Sequence, residues 1–125
     1  MAGTIPAMSA AKYKLPIEQG ASLRKVFTWK AGTPAVAVDL TGCTARMQIR
    51  KEIASATPYI ELTTENGGIT LGGVAGTISL FISPTDTAAF TWTAGVYDLE
   101  IVFSPTDVRR LVYGPVTVSP EVTRD

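Results

Sequence analysis

A chain of 125 residues and 13.2 kDa fits one domain, large enough to bury about two thirds of its extended surface without help from metals or disulfides. Hydrophobic residues make up 46% and charged residues 18%, which excludes a disordered chain, and 11 basic against 11 acidic residues leave no net charge to draw in nucleic acid. One cysteine and no histidine exclude an internal disulfide framework and remove both the commonest metal ligand and the usual general base near neutrality.

Met1 to Ala11 is small and weakly apolar, with Gly3 and Pro6, and reads as an arm that a neighbouring subunit orders. It has no basic start followed by an unbroken apolar run, so no signal peptide is expected. No stretch reaches 18 apolar residues, so no membrane span is expected either. Tyr13, Leu15 and Ile17 then alternate with Lys14 and Pro16; the proline lacks a ladder donor, which places this strand at an edge. Ser22 to Lys30 reads as a strand with Leu23, Phe27 and Trp29 on one face. Lys25 interrupts that face and is expected near the strand's end, its stem reaching water. Ala31-Gly32-Thr33-Pro34 is a turn, and Val36 and Val38 follow on one face.

The cleanest strand comes next. Cys43, Ala45, Met47 and Ile49 point one way and Thr44, Arg46, Gln48 and Arg50 the other, a period that a helix would scatter. Lys51 to Pro58 is a loop, Tyr59 to Thr64 a short strand with Ile60 and Leu62 inward, and Asn66-Gly67-Gly68 a turn. Ile69 to Leu71 and Thr77 to Ile82 are further strands. Ser-Pro-Thr-Asp occurs twice. At Ser83 it predicts one helical turn to Phe90, with Ser83 as N-cap and Pro84 at the first helical position. At Ser104 it predicts a hairpin tip, because alternating strands flank it: Tyr97, Leu99, Ile101 and Phe103 before, Arg109, Leu111 and Tyr113 after. Gly114-Pro115 predicts a bulge or a change of edge, and Ser119 to Asp125 is a polar tail.

Seven to nine short strands with no βαβ period predict an all-β, two-layer antiparallel β-sandwich, immunoglobulin-like, with one short helical turn near residues 83–90. The Cys…Trp…Cys spacing of antibody domains is absent, so the term describes architecture only. The expected division is an arm over 1–12, the sandwich over 13–118 and a tail over 119–125.

Candidate chemistry is thin. A hydrolase triad lacks its histidine, and Cys43 sits in an alternating apolar run as a core thiol. Asp98 and Glu100 share a strand face but lack the oxygen-rich loop of a calcium site, and pair more naturally with Arg109 or Arg110. The glycine pairs 67–68 and 72–73 lack the lysine of a phosphate loop. Arg24, Arg46 and Arg50 are read on one solvent face, suited to a protein partner rather than nucleic acid. Trp29 is assigned to the core; Trp92 either caps the sandwich, as its small neighbours favour, or stands out as a sugar-stacking platform. No catalytic, cofactor or metal residue is expected.

Several segments also carry a resemblance: Gln19-Gly20 before a strand, Val38-Asp39-Leu40-Thr41-Gly42-Cys43 running on to Arg50, Thr77-Ile78-Ser79-Leu80, and Ala94-Gly95-Val96-Tyr97 running on to Ile101. Their order, over about Lys14 to Val118, resembles small sandwich domains of tailed-bacteriophage virion and tail proteins. It is similar in particular to the N-terminal domain of siphophage upper baseplate proteins. Those proteins continue into long C-terminal portions, whereas this chain ends at Asp125. The resemblance implies a non-catalytic structural or adaptor subunit of a phage tail or baseplate, located in the virion and assembled in the host cytoplasm. Its partners would be other virion proteins or copies of itself, with no nucleic acid and no membrane. The alternatives are a carbohydrate-binding module at a virion surface and a head decoration protein. The interface candidates are Met1, Ile5, Pro6 and Met8 in the arm, with Arg46, Arg50 and Trp92 on the domain.

Overall fold

The computed structural model of the protein describes residues 10–124; the arm candidates Met1, Ile5, Pro6 and Met8 lie outside them. Alternating segments become strands because one of their faces can be buried. In chain order they are β1 (Ala11–Lys12), β2 (Leu15–Glu18), β3 (Leu23–Thr28), β4 (Lys30–Ala31), β5 (Val36–Ala37) and β6 (Thr44–Arg50). There follow β7 (Ile60–Thr63), β8 (Ile69–Leu71), β9 (Thr77–Ile82), helix α1 (Pro84–Ala88), β10 (Ala94–Ser104) and β11 (Asp107–Ser119). A 3-10 turn, Gly73–Ala75, links β8 to β9.

The large sheet runs β11-β10-β6-β7, antiparallel throughout, with β1 and β2 lying end to end along the far edge of β11. The small sheet is β3-β9-β8, also antiparallel, and β4 and β5 form a separate two-stranded hairpin. The expected immunoglobulin-like sandwich therefore forms. One feature departs from a purely antiparallel plan: β1 and β2 pair parallel to β11. Pro16 is accommodated there because an edge strand needs donors on one side only.

Between the sheets lies one continuous apolar interior. Ala45, Met47, Ile49, Leu99, Ile101 and Val116 come from the large sheet, and Ile69, Ile78, Leu80 and Ile82 from the small one. Trp29 is buried with them, as its parity predicts. Cys43 lies half-buried at the core's margin, and burial, with Asp39 as a smaller cause, raises its thiol pKa. Lys25 is not at a strand end. It is the third residue of β3, and its ammonium stands 4.5 Å from the Tyr13 ring and 5.3 Å from that of Phe27. Two ring faces stabilise the cation within the sandwich edge, an interaction of about 0.5–1 kcal/mol at partly exposed sites.

Two local devices set the frame around the sheets. Ser83 Oγ accepts the Asp86 amide at 3.1 Å, Pro84 opens α1, and Phe90 is buried beyond it, as the cap sequence predicts. Thr87 on α1 is fully buried; its hydroxyl donates to Ala21 O at 2.8 Å and accepts the Gly20 amide at 3.1 Å. Gln19 extends this tie, donating to Phe90 O at 2.9 Å and accepting the Glu121 amide at 2.8 Å. Breaking one such buried bond leaves a polar group unpaired, at about 1–3 kcal/mol.

The second device lies in β11. Leu99 pairs with Val112 but Glu100 pairs with Arg110, so Leu111 is an extra residue, a bulge. Arg109 and Leu111 are half-buried before it, whereas Val112, Gly114, Val116 and Val118 are buried after it. Strict alternation grouped Leu111 with Tyr113; the bulge reverses the parity and sends Tyr113 to the outer face. At Gly114-Pro115 the edge changes as expected: β1 ends opposite Tyr113 and β2 begins opposite Val116.

Candidate functional site: the outer face of the large sheet

The same alternation that buries Ala45, Met47 and Ile49 turns Arg46, Gln48 and Arg50 outward from β6. Cross-strand register then decides their neighbours. Arg46 faces Glu100 on β10, and Gln48 faces Asp98 on one side and Glu61 of β7 on the other. Arg46 Nε donates to Glu100 Oε1 at 2.8 Å, and Gln48 Nε2 to Glu61 Oε2 at 2.7 Å. Arg110 Nε stands 3.7 Å from Asp98 Oδ2. Arg50 donates from Nη1 to Ser55 O at 2.7 Å and from Nη2 to Gln48 Oε1. Positive and negative side chains are thus interleaved across four strands.

Asp98 shows that these pairs are not simply stabilising. Its pKa is raised, first by burial and then by Glu100, against the opposing pull of Arg110, Arg50 and Arg46. A 3.7 Å separation between half-exposed partners is the outer limit of an ion pair, so partial desolvation outweighs the attraction. Asp98 and Glu100 are therefore engaged with arginines of their own sheet. Among the described residues no group of three Cys, Asp or Glu side chains is placed to hold a metal ion.

Two adjoining hollows occupy this face. One, of about 440 Å³, lies over Arg46, Glu61, Asp98 and Glu100. The other, of about 480 Å³, has Val96, Tyr113, Gly114 and Pro115 in its lining, together with Lys12, Arg50, Asp98 and Arg110. Ile53, from the loop after β6, stands at its margin and is 89% exposed. Gln48, Arg50 and Asp98 border both hollows, which makes them one surface.

The residues named from sequence separate in space. Arg46 and Arg50 share this face. Arg24 does not: it lies on β3 in the opposite sheet, its guanidinium 4.5 Å from the Phe81 ring centre, so the expected three-arginine face does not exist. The outer faces of a two-layer sandwich point in opposite directions. Trp92 is half-buried, stacked on Tyr59 with ring centres 4.4 Å apart and tilted against Phe90 at 4.8 Å. It packs as a cap, and its ring is committed to neighbours within the fold. Lys12, Ile53, Arg110 and Tyr113 escaped sequence reading as site residues. Ile53 offered one signal, an isoleucine inside an otherwise small and polar loop; Tyr113 offered none, because the bulge is invisible to alternation.

No protein-family model and no curated protein matches the chain. Solved structures of similar architecture do. A structure from a photo-crosslinking study of multimeric cell-adhesive interactions of voltage-gated sodium channel β subunits aligns over 93% of this chain and 98% of its own, at 14% identity and a TM-score of 0.49. The extracellular domain of the β4 subunit, described as a parallel homodimer with a role in cell–cell adhesion, aligns over 95% and 100%, at 13% identity and a TM-score of 0.46. The likeness is one of fold. Both are described as cell-adhesion proteins and neither as a virion protein; the expectation of a phage tail, baseplate or head subunit located in the virion is corrected, and virion partners find no support.

The segments behind that resemblance have structural roles in the sandwich itself. Hydrogen bonds from the Thr41 side chain and amide hold the Asp39 carboxyl below its usual range, and between them Leu40 is buried. Gly42 adopts a φ of 81°, open to glycine. In the Ala94-Gly95-Val96-Tyr97 segment, a Cβ on Gly95 would come within 2.8 Å of Arg50 O, which explains the glycine by the closeness of β6. Such residues answer the demands of a sandwich and carry no information about its host.

Proposed function

We propose that the chain is a non-catalytic protein-binding module that associates with copies of itself through the outer face of the large sheet. The interleaving of Arg46, Arg50 and Arg110 with Glu61, Asp98 and Glu100 carries this reading. A surface bearing both signs in alternation can meet its own copy across a two-fold axis with opposite charges opposed. The zero net charge adds no long-range repulsion between copies. Arginine and tyrosine are also the residue types that interfaces favour. The raised thiol of Cys43 supports the non-catalytic part, since the thiolate is the nucleophile.

Sedimentation velocity of the full chain from about 1 µM to about 1 mM is the test. A dimer that grows with concentration is expected. Arg46→Glu should weaken it, while Arg24→Glu, on the opposite sheet, should leave it unchanged. A protein that stays monomeric throughout, or one that responds to Arg24 and not to Arg46, overturns the reading.

A further inference from the structure

The turn after β6 presents an apolar side chain where turns ordinarily carry Gly, Pro, Asn, Asp or Ser. Its position is fixed rather than loose. The Ser55 amide donates to Glu52 O at 3.1 Å, the Glu52 amide donates to Ser55 Oγ at 3.0 Å, and Arg50 holds Ser55 O at 2.7 Å. The turn is thus closed twice and tied to β6, with Ile53 at its corner and 89% exposed. Beside it opens the hollow of about 480 Å³ with Val96, Tyr113 and Pro115 in its lining. A projection held in one place, next to a recess of matching character, spares the ordering cost that weakens flexible contacts.

We infer that Ile53 is the anchor of self-association, entering the recess of a second copy between Val96, Tyr113 and Pro115. The pairing is isologous: each copy gives one Ile53 and receives one, so assembly closes at two. Charge supports the same occupant. Lys12, Arg50 and Arg110 outnumber Asp98 in the lining, so the recess suits a visitor that is acidic as well as apolar. Glu52-Ile53 is both, and Glu52 arrives opposite Lys12 and Arg110.

The inference rests on self-association through this face, and sedimentation equilibrium of three full-length proteins separates the two. Ile53→Lys should weaken the wild-type dimer roughly tenfold or more, because the apolar anchor is lost and an ammonium would have to enter a recess in which Lys12, Arg50 and Arg110 outnumber Asp98. Val74→Lys is the control: Val74 is 73% exposed on the 3-10 turn beside the small sheet, and the variant should dimerise as wild type does. Both sites are exposed, and thermal melts confirm that the variants fold. If the wild type dimerises and Ile53→Lys matches it, or if Val74→Lys is equally damaging, the anchor is wrong and the broader reading stands. If the wild type never dimerises, both fall.

Discussion

Tyr97 shows how much one side chain can join. Its ring is buried in the large sheet, and its hydroxyl donates to Tyr13 O at 2.8 Å, tying β10 to the segment between β1 and β2. Tyr13 in turn meets Phe27 edge-on at 5.4 Å and lies under the Lys25 ammonium, so one hydrogen bond links both sheets through a shared edge. Tyr97→Phe should cost about 1 kcal/mol near neutral pH, read as a lower urea midpoint with unchanged slope. The bond also carries a pH signature. Burial raises the Tyr97 phenol above its ordinary range, with Tyr13 a second cause. Above about pH 10 the unfolded chain releases this proton while the native protein keeps it, so stability is whole below that pH and falls as pH rises. Tyr97→Phe lacks this slope. The gap between wild type and variant should therefore narrow from about pH 8 to about pH 11; a constant gap would show that the phenol is not held protonated by the fold.

At the scale of elements, β11 does most to shape the candidate surface. Its bulge at Leu111 reverses which residues face the core, and its far edge carries β1 and then β2. Gly114 sits where those two edge strands meet. A Cβ there would come within 2.3 Å of Tyr13 O, a backbone atom that cannot move without lifting β1. Gly114→Ala should thus cost about 1–3 kcal/mol and detach β1 while leaving β2 paired. Hydrogen exchange reads this directly through the Tyr13 amide, which donates to Tyr113 O at 2.8 Å. Undiminished protection of that amide in the variant would mean that the edge tolerates the added carbon. Detaching β1 also removes Lys12 from the rim of the larger hollow, so the same variant links edge structure to the surface.

For the whole molecule the governing feature is the single interior that both sheets share. Neither sheet has a second apolar layer to retreat to, so neither should persist alone. The two tryptophans report on separate parts of that unit: Trp29 is 4% exposed within the core, and Trp92 is half-buried beside Phe90 and Tyr59. Urea unfolding followed by tryptophan fluorescence and by far-ultraviolet circular dichroism should give coincident transitions, in the wild type and in Trp92→Phe alike. Separated midpoints would show that the end carrying Trp92 unfolds on its own.

What the sequence determined by itself was local. Period-2 alternation announces β6, β9 and β10 because successive strand residues face opposite sides whatever lies beyond them. Ser83-Pro84 announces α1 because a cap acts within one turn, and Trp29 falls to the core by parity with Phe27. The candidate site was only half legible: Arg46 and Arg50 were visible as outward residues of β6, but their partners were not. Which strand lies beside which is set by long-range pairing, and this alone brought Asp98 and Arg110 to that face, sent Arg24 to the other, and ran β1 and β2 parallel to β11. A one-residue bulge then turned Tyr113 outward, since any register step exchanges the two faces of a strand. The resemblance to phage proteins failed for a related reason. It rested on turns and strand starts that a sandwich demands of any chain adopting it, whereas the surface that distinguishes this protein is assembled from residues scattered from Lys12 to Pro115.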